Sequence, residues 1–436
     1  MLELTSMQTQ FFTLKNGLRV MLIDTNTFPT ITTLLLVGAG SRYENADNNG
    51  ISHFLEHMFY KGSKKYPNPE IISQIIEGMG GYWNAFTSKD YTGYYIKAST
   101  DHFPKMIDMI FDLLLNSLFD PHEIEKEKGV ICEEINMYED MPQRRISDIF
   151  DNVMFAGNPL GYDIAGSKKT VASFNRNTFV DYKNQLYHPN NAVLIIAGGL
   201  SKNLKFEISN LKYYTEIIEA KFGEWEKEDN YKFITVKGSF TKPRVYVHNK
   251  KTEQAHFCFG YPTFKIDDKR KPALKILATV LGGGASSRLF QEVREKRGLC
   301  YYIRTGLEQY HDIGSIVTQA GVAKDVEKVK DAVQATQKEH SKIAQGNISD
   351  TDIARSKEML KGRLLLSLED SFNIAHFYGI KQLHENSVES PEDRIKQIEK
   401  VTKQEIVALA KELFAPEKMV FTIIGPFESK DINIDI

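Results

Sequence analysis

The sequence repeats itself loosely, and this repeat limits the possible folds more than any other feature. Near the end of the first half, a segment containing Pro189 leads into an apolar run that ends in a glycine. The segment around Pro416 does the same near the end of the second half, 227 positions later. A second pair of matching segments ends at Ile124 and Ile353, which are 229 positions apart. Two independent alignments that nearly agree predict a duplicated domain of about half the chain.

The chain has 436 residues, too many for one hydrophobic core, so at least two domains are expected. Each half combines short runs of alternating apolar residues with helix-length segments, without the regular spacing of βαβ units, which predicts α+β layers. The polar stretch around Trp225 is the best linker candidate. We therefore predict an N-terminal domain at 1–225, a linker at 226–240 and a homologous C-terminal domain at 241–436.

Composition and charge argue against several classes of protein. A content of 42% hydrophobic residues is that of an ordinary globular protein, and a net charge of -2 gives no indication of nucleic acid binding. Cys132, Cys258 and Cys300 are scattered and odd in number, which favours a reducing compartment. Residues 1–12 lack the pattern of a signal peptide, although a trimmed chain would look the same, and the apolar run 31–40 is too short to cross a bilayer. We expect a soluble, cytoplasmic protein with no nucleic acid or membrane partner.

Segment 51–60 carries the strongest chemical signal in the chain. Ser52 is placed to cap a helix that begins there. On such a helix His53, Glu56 and His57 project from one face, because positions three and four apart are neighbours. Two imidazoles one turn apart can bind a single Zn²⁺, and the carboxylate between them is close enough to take a proton from a water at the metal. This is the inverted His-x-x-Glu-His motif of metal hydrolases.

The alternative to metal binding is a helical histidine pair that simply faces solvent. Phe54, Leu55, Met58 and Phe59 make this helix strongly apolar and predict that it is buried. Burying two histidines and a glutamate without partners would be costly, which favours the metal site over the alternative.

A catalytic zinc ion needs a third protein ligand and one open position. The acidic helix predicted at 120–134 offers several glutamates. Glu127 and Glu134 are seven residues apart and share a face, whereas Glu133 points about 100° away. Spacing selects the Glu127 and Glu134 face only if that face turns inward, and most glutamates on such a helix are solvated.

The motif and its distant glutamates resemble the pitrilysin (M16) family of zinc metallopeptidases, particularly the shorter bacterial members similar to the mitochondrial processing peptidase. The resemblance spans nearly the whole chain and includes the repeat. It implies one Zn²⁺ per chain, held in the N-terminal domain by His53, His57 and Glu134, with Glu56 as general base and Glu127 as a further catalytic residue. It also implies two domains of the LuxS/MPP-like metallohydrolase fold and a clamshell-type dimer.

The stretch after the metal motif, residues 80–90, has the composition of a glycine-initiated edge strand. An extended peptide can bind to such an edge as a further strand. The resemblance implies that Asn84 holds the substrate backbone near the cleaved bond, that Ala85 permits close approach, and that Phe86 belongs to the same substrate-binding stretch.

The second half carries no His-x-x-Glu-His motif. Its triple glycine, 282–284, is not followed by the Gly-Lys-Ser/Thr of a phosphate-binding loop, so a flexible loop before a helix is the simpler interpretation. Arg294 and Tyr301, seven residues apart, would otherwise be a surface arginine and a core tyrosine. The resemblance implies that this arginine holds substrate and that the tyrosine stabilises the developing oxyanion.

The function implied is that of a zinc-dependent endopeptidase that cleaves short or unfolded peptides. A homodimer is expected because one chain carries both the metal motif and the arginine–tyrosine pair, and a heterodimer with an inactive M16-like subunit is the alternative. Two rival functions remain: a non-catalytic M16-like peptide-binding or scaffold subunit, and a purely structural metal site. The first rival typically lacks the metal motif, which this chain keeps, and a structural site has no use for a buried glutamate between two ligand histidines. The sequence gives no indication of the physiological substrate.

Overall fold

The computed structural model describes residues 7–200, 208–229, 232–238 and 240–432. Its contacts divide the chain into two compact units. The first unit comprises the described residues of Met1–Ile135, Asp163–Ile234 and Ser367–Glu389, and the second comprises those of Asn136–Tyr162, Thr235–Leu366 and Ser390–Ile436.

Both units are built from strands and helices in mixed order. The strands are β1 (Gln8–Thr13), β2 (Arg19–Asp24), β3 (Thr30–Val37), β4 (Tyr82–Thr87), β5 (Thr92–Ser99), β6 (Ala192–Gly198), β7 (Arg244–Asn249), β8 (Gln254–Thr263), β9 (Cys300–Gln309), β10 (Gly314–Ala323) and β11 (Val420–Gly425). The α-helices are α1 (Ile51–Met58), α2 (Pro69–Gly78), α3 (Phe103–Leu115), α4 (Pro121–Glu139), α5 (Pro142–Met154), α6 (Lys168–Ser173), α7 (Arg176–Leu186), α8 (Ile208–Phe222), α9 (Lys271–Gly282), α10 (Val326–Ala344), α11 (Asp350–Ser367), α12 (Ser371–Glu385), α13 (Pro391–Lys400) and α14 (Lys403–Leu413). This mixture agrees with the predicted α+β class.

The two sheets follow the same path. In the first unit the strand order is β1-β2-β6-β3-β5-β4, and in the second it is β7-β11-β8-β10-β9. Strands β2 and β6 are parallel, as are β7 and β11, and the remaining neighbours are antiparallel. Apart from the additional strand β1, the second sheet therefore repeats the first. This confirms the duplication that the sequence repeat predicts.

The sheet of the first unit is covered on both faces, because alternate residues of each strand point to opposite sides. Val20 and Leu22 of β2 belong to the main core with α1 and α3, whereas Met21 and Ile23 belong to a second core with α12. Helix α12 lies very close to the sheet at Gly379, where a Cβ atom would come within 2.7 Å of side chains on β3 and β6.

The second unit covers one face of its sheet in the same way, with α5. Ile146, Ile149 and Phe150 of this helix pack with Cys258 on β8 and with β11. Each unit thus takes one helix from the opposite half of the sequence. The predicted division at 226–240 differs from the units in these two segments, 136–162 and 367–389. The apolar stripe of a helix predicts that one face is buried, but not which sheet it packs against.

Two features bear on the cellular environment. Cys132, Cys258 and Cys300 form no disulfide, and burial raises the pKa of Cys300 to about 11. Among the helices that the described residues form, none is both long enough and apolar enough to cross a bilayer.

His340 of α10 lies in an aromatic cluster in the core of the second unit. Its ring stacks on Phe414 at 4.5 Å between centroids and lies within 6 Å of Phe259 and Tyr261. Neither ring nitrogen forms a hydrogen bond with any described residue. Burial lowers the pKa of His340 to about 3, so the ring is held neutral at ordinary pH.

We predict that His340 makes the second unit sensitive to acid. The pKa of His340 is lower in the folded state than in the unfolded chain (about 6.5), so proton binding favours unfolding. The contribution of His340 to stability is fully present above pH 6.5 and is lost as the pH falls toward 3. At pH 5 this loss is about 2 kcal/mol. Urea unfolding of wild type and His340→Phe at pH 7 and pH 5 should show that the variant lacks this part of the pH dependence. His122→Gln, at an exposed position, is the control, and identical pH profiles for wild type and His340→Phe would contradict the prediction.

Candidate metal centre

Helix α1 begins at Ile51, directly after Gly50, whose φ of 98° is in the left-handed region that favours glycine. The expectation that Ser52 caps the helix is wrong, since Ser52 lies inside it and no side chain of the N-cap residue forms a capping bond. The Ser52 hydroxyl lies 2.5 Å from the hydroxyl of Tyr182 instead. The helix start is therefore held by another group.

That group is the carboxylate of Glu44, which is almost fully buried. It accepts hydrogen bonds from the backbone N–H groups of Gly50 and Ser52, both at 2.8 Å, and from the side chain of Asn49 at 2.9 Å. Burial raises the pKa of Glu44, and these hydrogen bonds act in the opposite direction. An acidic group at a helix N-terminus is stabilising. Glu44 lies six residues before the N-cap, outside the local capping patterns, so the sequence analysis missed it.

The structure brings together His53, His57 and Glu134. The Nε2 atoms of the two histidines lie 3.5 Å and 3.6 Å from Oε2 of the glutamate. All three donor atoms lie within 4.8 Å of one another. The side chains are 11%, 22% and 21% exposed, so the cluster lies at the edge of the core with access to solvent. Glu133, by contrast, is exposed.

This donor set fits a zinc ion. Ligands held at about 2.0–2.1 Å in a tetrahedron lie about 3.3–3.4 Å apart, close to the two observed nitrogen–oxygen distances. Two imidazole nitrogens and one carboxylate oxygen are ligands that zinc prefers, and three protein donors is the number found at catalytic zinc sites.

Glu127 lies behind the metal ligands. Its Oε1 is 2.9 Å from Nδ1 of His57, and its Oε2 is 2.5 Å from Nζ of Lys61. Burial alone would raise the pKa of Glu127, but the hydrogen bonds from His57 and Lys61 lower it. A carboxylate on the second nitrogen of a ligand histidine fixes the tautomer and the orientation of the ring. These contacts are those of a positioning residue, whereas the family resemblance implies a catalytic role for Glu127. Lys61 was missed, although it follows His57 by four positions.

The two histidines are supported differently. Nδ1 of His53 is buried and has no hydrogen-bond partner among the described residues. Burial alone would lower the pKa of His53, but the carboxylates of Glu134, Glu56 and Glu44 outweigh it and raise the pKa. The negative charge of the surrounding carboxylates therefore favours a cation at this position.

Glu56 is held from the neighbouring sheet. Its Oε2 accepts a hydrogen bond of 2.5 Å from the hydroxyl of Thr87 on β4. Burial raises the pKa of Glu56, opposed by Thr87 and by the two histidines. Thr87 directly follows the Asn84–Phe86 stretch that the sequence analysis selected, but no pattern pointed to the threonine itself.

Strand β4 lies at the edge of its sheet, paired with β5 on one side and with no other strand that the structure describes. Thr87 contacts Glu56, and the ring of Trp83 lies 4.2 Å from that of Tyr60 just after α1. Because alternate residues share a face, Ala85 lies on the same side as these two. The Tyr60 hydroxyl donates to the carbonyl of Asn84 at 3.3 Å.

The three residues predicted to bind substrate have different surroundings. Asn84 is exposed, and its Oδ1 accepts the backbone N–H of Ala85 at 2.8 Å. The ring of Phe86 packs against Phe372 and His376 of α12, at 6.0 Å and 5.8 Å between centroids. The Phe86 ring therefore packs toward α12, on the face opposite to that of Ala85.

Arg294 and Tyr301 lie in the second unit and are close to each other. Arg294 belongs to a π-helical segment, Phe290–Lys296, in place of the expected α-helix, and its guanidinium carbon is 5.6 Å from the centroid of the Tyr301 ring. Tyr301 is 73% exposed, so it is not the core tyrosine that its sequence alone would suggest.

Comparisons with known proteins bear on the family and the fold of the chain. A sequence model described as "Insulinase (Peptidase family M16)" matches residues 19–168, and one described as "Peptidase M16 inactive domain" matches residues 173–360. The fold resembles that of a protease from Helicobacter pylori, with a TM-score of 0.88 and 22% identity over 97% of this chain and 100% of that one. It also resembles a peptidase M16 inactive domain from Pseudomonas fluorescens, with a TM-score of 0.86 and 17% identity over 97% and 99%.

Relatives with higher identity are named as zinc proteases. The chain is 33% identical to the uncharacterized zinc protease YmxG of Bacillus subtilis, over 95% of this chain and 98% of the relative. It is 31% identical to an uncharacterized zinc protease of Streptomyces coelicolor, over 97% and 90% of the two chains. Sequence and fold therefore agree over nearly the whole length, and the chain belongs to peptidase family M16.

Proposed function

We propose that this protein is a zinc-dependent endopeptidase that cleaves short or unfolded peptides, with Glu56 as the general base. The observation that carries the proposal is that the donor atoms of His53 and His57, on the helix that also carries Glu56, converge with that of Glu134 on α4, all within 4.8 Å of one another. The zinc protease names of the relatives support the choice of metal.

One Zn²⁺ per chain would be held by His53, His57 and Glu134. When bound, it supplies Lewis-acid chemistry, polarising a carbonyl group and making a water more acidic. Glu127 keeps Nδ1 of His57 occupied, so that Nε2 is the nitrogen offered to the metal. Lys61 balances the buried charge of Glu127.

Glu56 takes the proton of the attacking water and delivers it to the leaving amine. Its pKa is raised by burial, which makes it a stronger base than an exposed glutamate. The hydrogen bond from Thr87 fixes the position of its carboxylate.

The open edge of β4 would bind the substrate as an added strand. Thr87, on this strand, reaches the general base, so a peptide paired with β4 would lie near the reacting groups. The exposed side chain of Asn84 is available to the substrate backbone, and the small Ala85 permits close approach. A two-stranded contact of this kind needs an extended peptide, which favours short or unfolded substrates.

We further propose a homodimer of the clamshell type, in which Arg294 and Tyr301 of one chain serve the metal centre of the other. Arg294 would hold a substrate carbonyl or carboxylate, and the exposed Tyr301 hydroxyl would donate to the developing oxyanion. A heterodimer with an inactive M16-like subunit is the alternative assembly. A reducing, cytoplasmic compartment suits the three unpaired cysteines.

The competing function is a non-catalytic M16-like subunit that binds peptides or serves as a scaffold. The position of Glu56 beside the donor cluster, fixed by Thr87, favours catalysis over this function and over a structural metal site. Zinc analysis together with peptide cleavage, with and without a chelator, separates the three. Mass spectrometry of peptide digests would then define the cleavage preference.

We predict that Glu56→Gln keeps zinc but lowers kcat by about 10²–10⁴-fold, because the amide cannot accept the proton. Zinc content measured by mass spectrometry and turnover of a quenched fluorescent peptide check this. Glu133→Gln, an exposed change one residue from Glu134, is the control and should be fully active. Near wild-type cleavage by Glu56→Gln would remove Glu56 from the mechanism.

We predict that Glu127→Gln weakens zinc binding by about 10–100-fold, because it alters the support of the His57 ring. Competition with a chromophoric chelator measures the Kd directly, without any need for activity. The matched control is Glu125→Gln, which lies on the same helix with its side chain 70% exposed. An unchanged Kd in the Glu127 variant would show that this hydrogen bond does not support the metal.

We predict that a mixed dimer of a Glu56→Gln chain and a Tyr301→Phe chain recovers activity, because one of its two sites is then intact. Recovery to about half of the wild-type rate is expected for two equivalent sites. Mixing Glu56→Gln with His57→Ala is the control, since both defects lie on the metal side and no intact site can form. A purified mixed dimer without recovery would count against residue sharing.

A further inference from the structure

A second concave surface lies in the first unit. It is an open cavity of about 940 Å³, lined by the ends of α3, α7 and α8 and by segment 224–229. None of the metal-centre residues described above is part of its wall. We call it the acidic cavity, after the four carboxylates at its rim: Glu224, Glu226, Glu228 and Asp229.

The floor of the acidic cavity is apolar and well supported. Phe111, Leu115, Tyr187 and Trp225 contribute to it. The indole N–H of Trp225 donates to the carbonyl of Tyr187 at 3.2 Å, which fixes the ring while only 9% of the residue is exposed. An apolar floor beside many polar groups suits a ligand that has both apolar and polar parts.

The charges around the cavity are unbalanced. The four rim carboxylates are exposed and form no ion pair with another described residue. The cations are engaged elsewhere: Lys221 pairs with Asp108 at 2.6 Å, and Lys183 donates to the carbonyl of Leu115 at 2.8 Å. Burial, aided by Lys64, also lowers the pKa of Lys183 to about 8. The free charge facing a ligand is therefore negative.

A buried histidine adds an independent sign of a ligand. His188 is only 7% exposed, yet it lines the cavity. Its backbone N–H donates to the carbonyl of Leu186, but its ring nitrogens have no hydrogen-bond partner among the residues that the structure describes. The imidazole nitrogens are therefore available to hydrogen-bond a ligand in the cavity, such as the backbone amides of a peptide. The side-chain amides of Asn184 and Gln185 line the same wall.

We propose that the acidic cavity is a second binding site, which takes an extended basic peptide segment. The rim carboxylates would pair with lysine or arginine side chains, the apolar floor would hold an intervening aliphatic or aromatic side chain, and His188 with the neighbouring amides would bind the peptide backbone. This site is independent of the cleavage reaction, so it can be tested in protein that cannot cut peptides.

Trp225 provides a direct signal for the test. The chain has two tryptophans, so Trp83→Phe leaves Trp225 as the only indole emitter. The protein is treated with a chelator to prevent cleavage and titrated with a peptide that alternates arginine and leucine. The same peptide with glutamate in place of arginine is the matched probe. We expect a saturable change in Trp225 emission with the arginine peptide and none with the glutamate peptide. No residue of β4 lines the acidic cavity, so a peptide bound only along β4 should leave the Trp225 emission unchanged.

The rim is then neutralised by Glu224→Gln, Glu226→Gln, Glu228→Gln and Asp229→Asn together, in the Trp83→Phe background. We expect the affinity of this rim variant for the arginine peptide to fall by about tenfold or more, because each of the four exposed ion pairs contributes modestly to binding. The matched control removes four exposed carboxylates from the same unit: Asp47→Asn, Glu77→Gln, Asp181→Asn and Glu216→Gln. The affinity of this control variant for the arginine peptide should stay within about twofold of that of the Trp83→Phe parent.

Either of two results would overturn the proposal: equal responses to the arginine and glutamate peptides, or equal affinities of the rim variant and the control variant. Thermal unfolding checks that the rim variant is folded. Should it be unstable, the unmodified rim gives a second measurement, since raising the salt concentration must weaken binding of the arginine peptide if exposed charges carry it. Salt-independent binding would also refute the site.

Discussion

The burial of ionisable groups between α1 and α4 is the constraint on which the metal centre depends. Removing a carboxylate or an imidazole from water is costly unless it gains partners. Glu127, 3% exposed, lies between His57 and Lys61, and Glu44, 2% exposed, accepts three hydrogen bonds at the start of α1. Glu44 fixes the start of α1, and Glu127 joins α4 to His57 and Lys61. The contacts that offset the burial of Glu127 therefore also hold the two helices, and with them the donor atoms of His53, His57 and Glu134, together.

Local patterns in the sequence were enough to predict the elements that carry the site. The spacing of His53, Glu56 and His57 required a helix, and the repeat required two similar sheets, and both are present. Spacing alone could not choose among the glutamates of α4, because the choice depends on which face meets α1. Glu44, Lys61 and Thr87 were missed for the same reason, since each acts through a contact that is distant in sequence or belongs to no known pattern.

The sequence could not predict that α5, from the first half of the chain, packs in the second unit and that α12, from the second half, packs in the first unit. Each helix has an apolar stripe that predicts burial. Because each lies within one half of the chain, the sheet formed by that same half is the expected packing partner. Gly379 of α12 contributes to the close packing on β3 and β6, because a Cβ atom there would come within 2.7 Å of side chains on those strands. Packing of this kind is visible only when both surfaces are known.

The duplication also shows what the metal centre requires of the fold. Helix α9 follows β8 as α1 follows β3, and its residues Leu274, Leu277 and Leu281 are completely buried. Where the first unit has two histidines and a glutamate near the surface, the second has aliphatic side chains that fill a core, in keeping with the "inactive domain" description of the family model that covers much of it. The repeated sheet is therefore compatible with either helix. The two units differ in what this helix offers: α9 gives a packed aliphatic face, whereas α1 gives histidine donors that converge with Glu134 and are supported by Glu127 and Glu44.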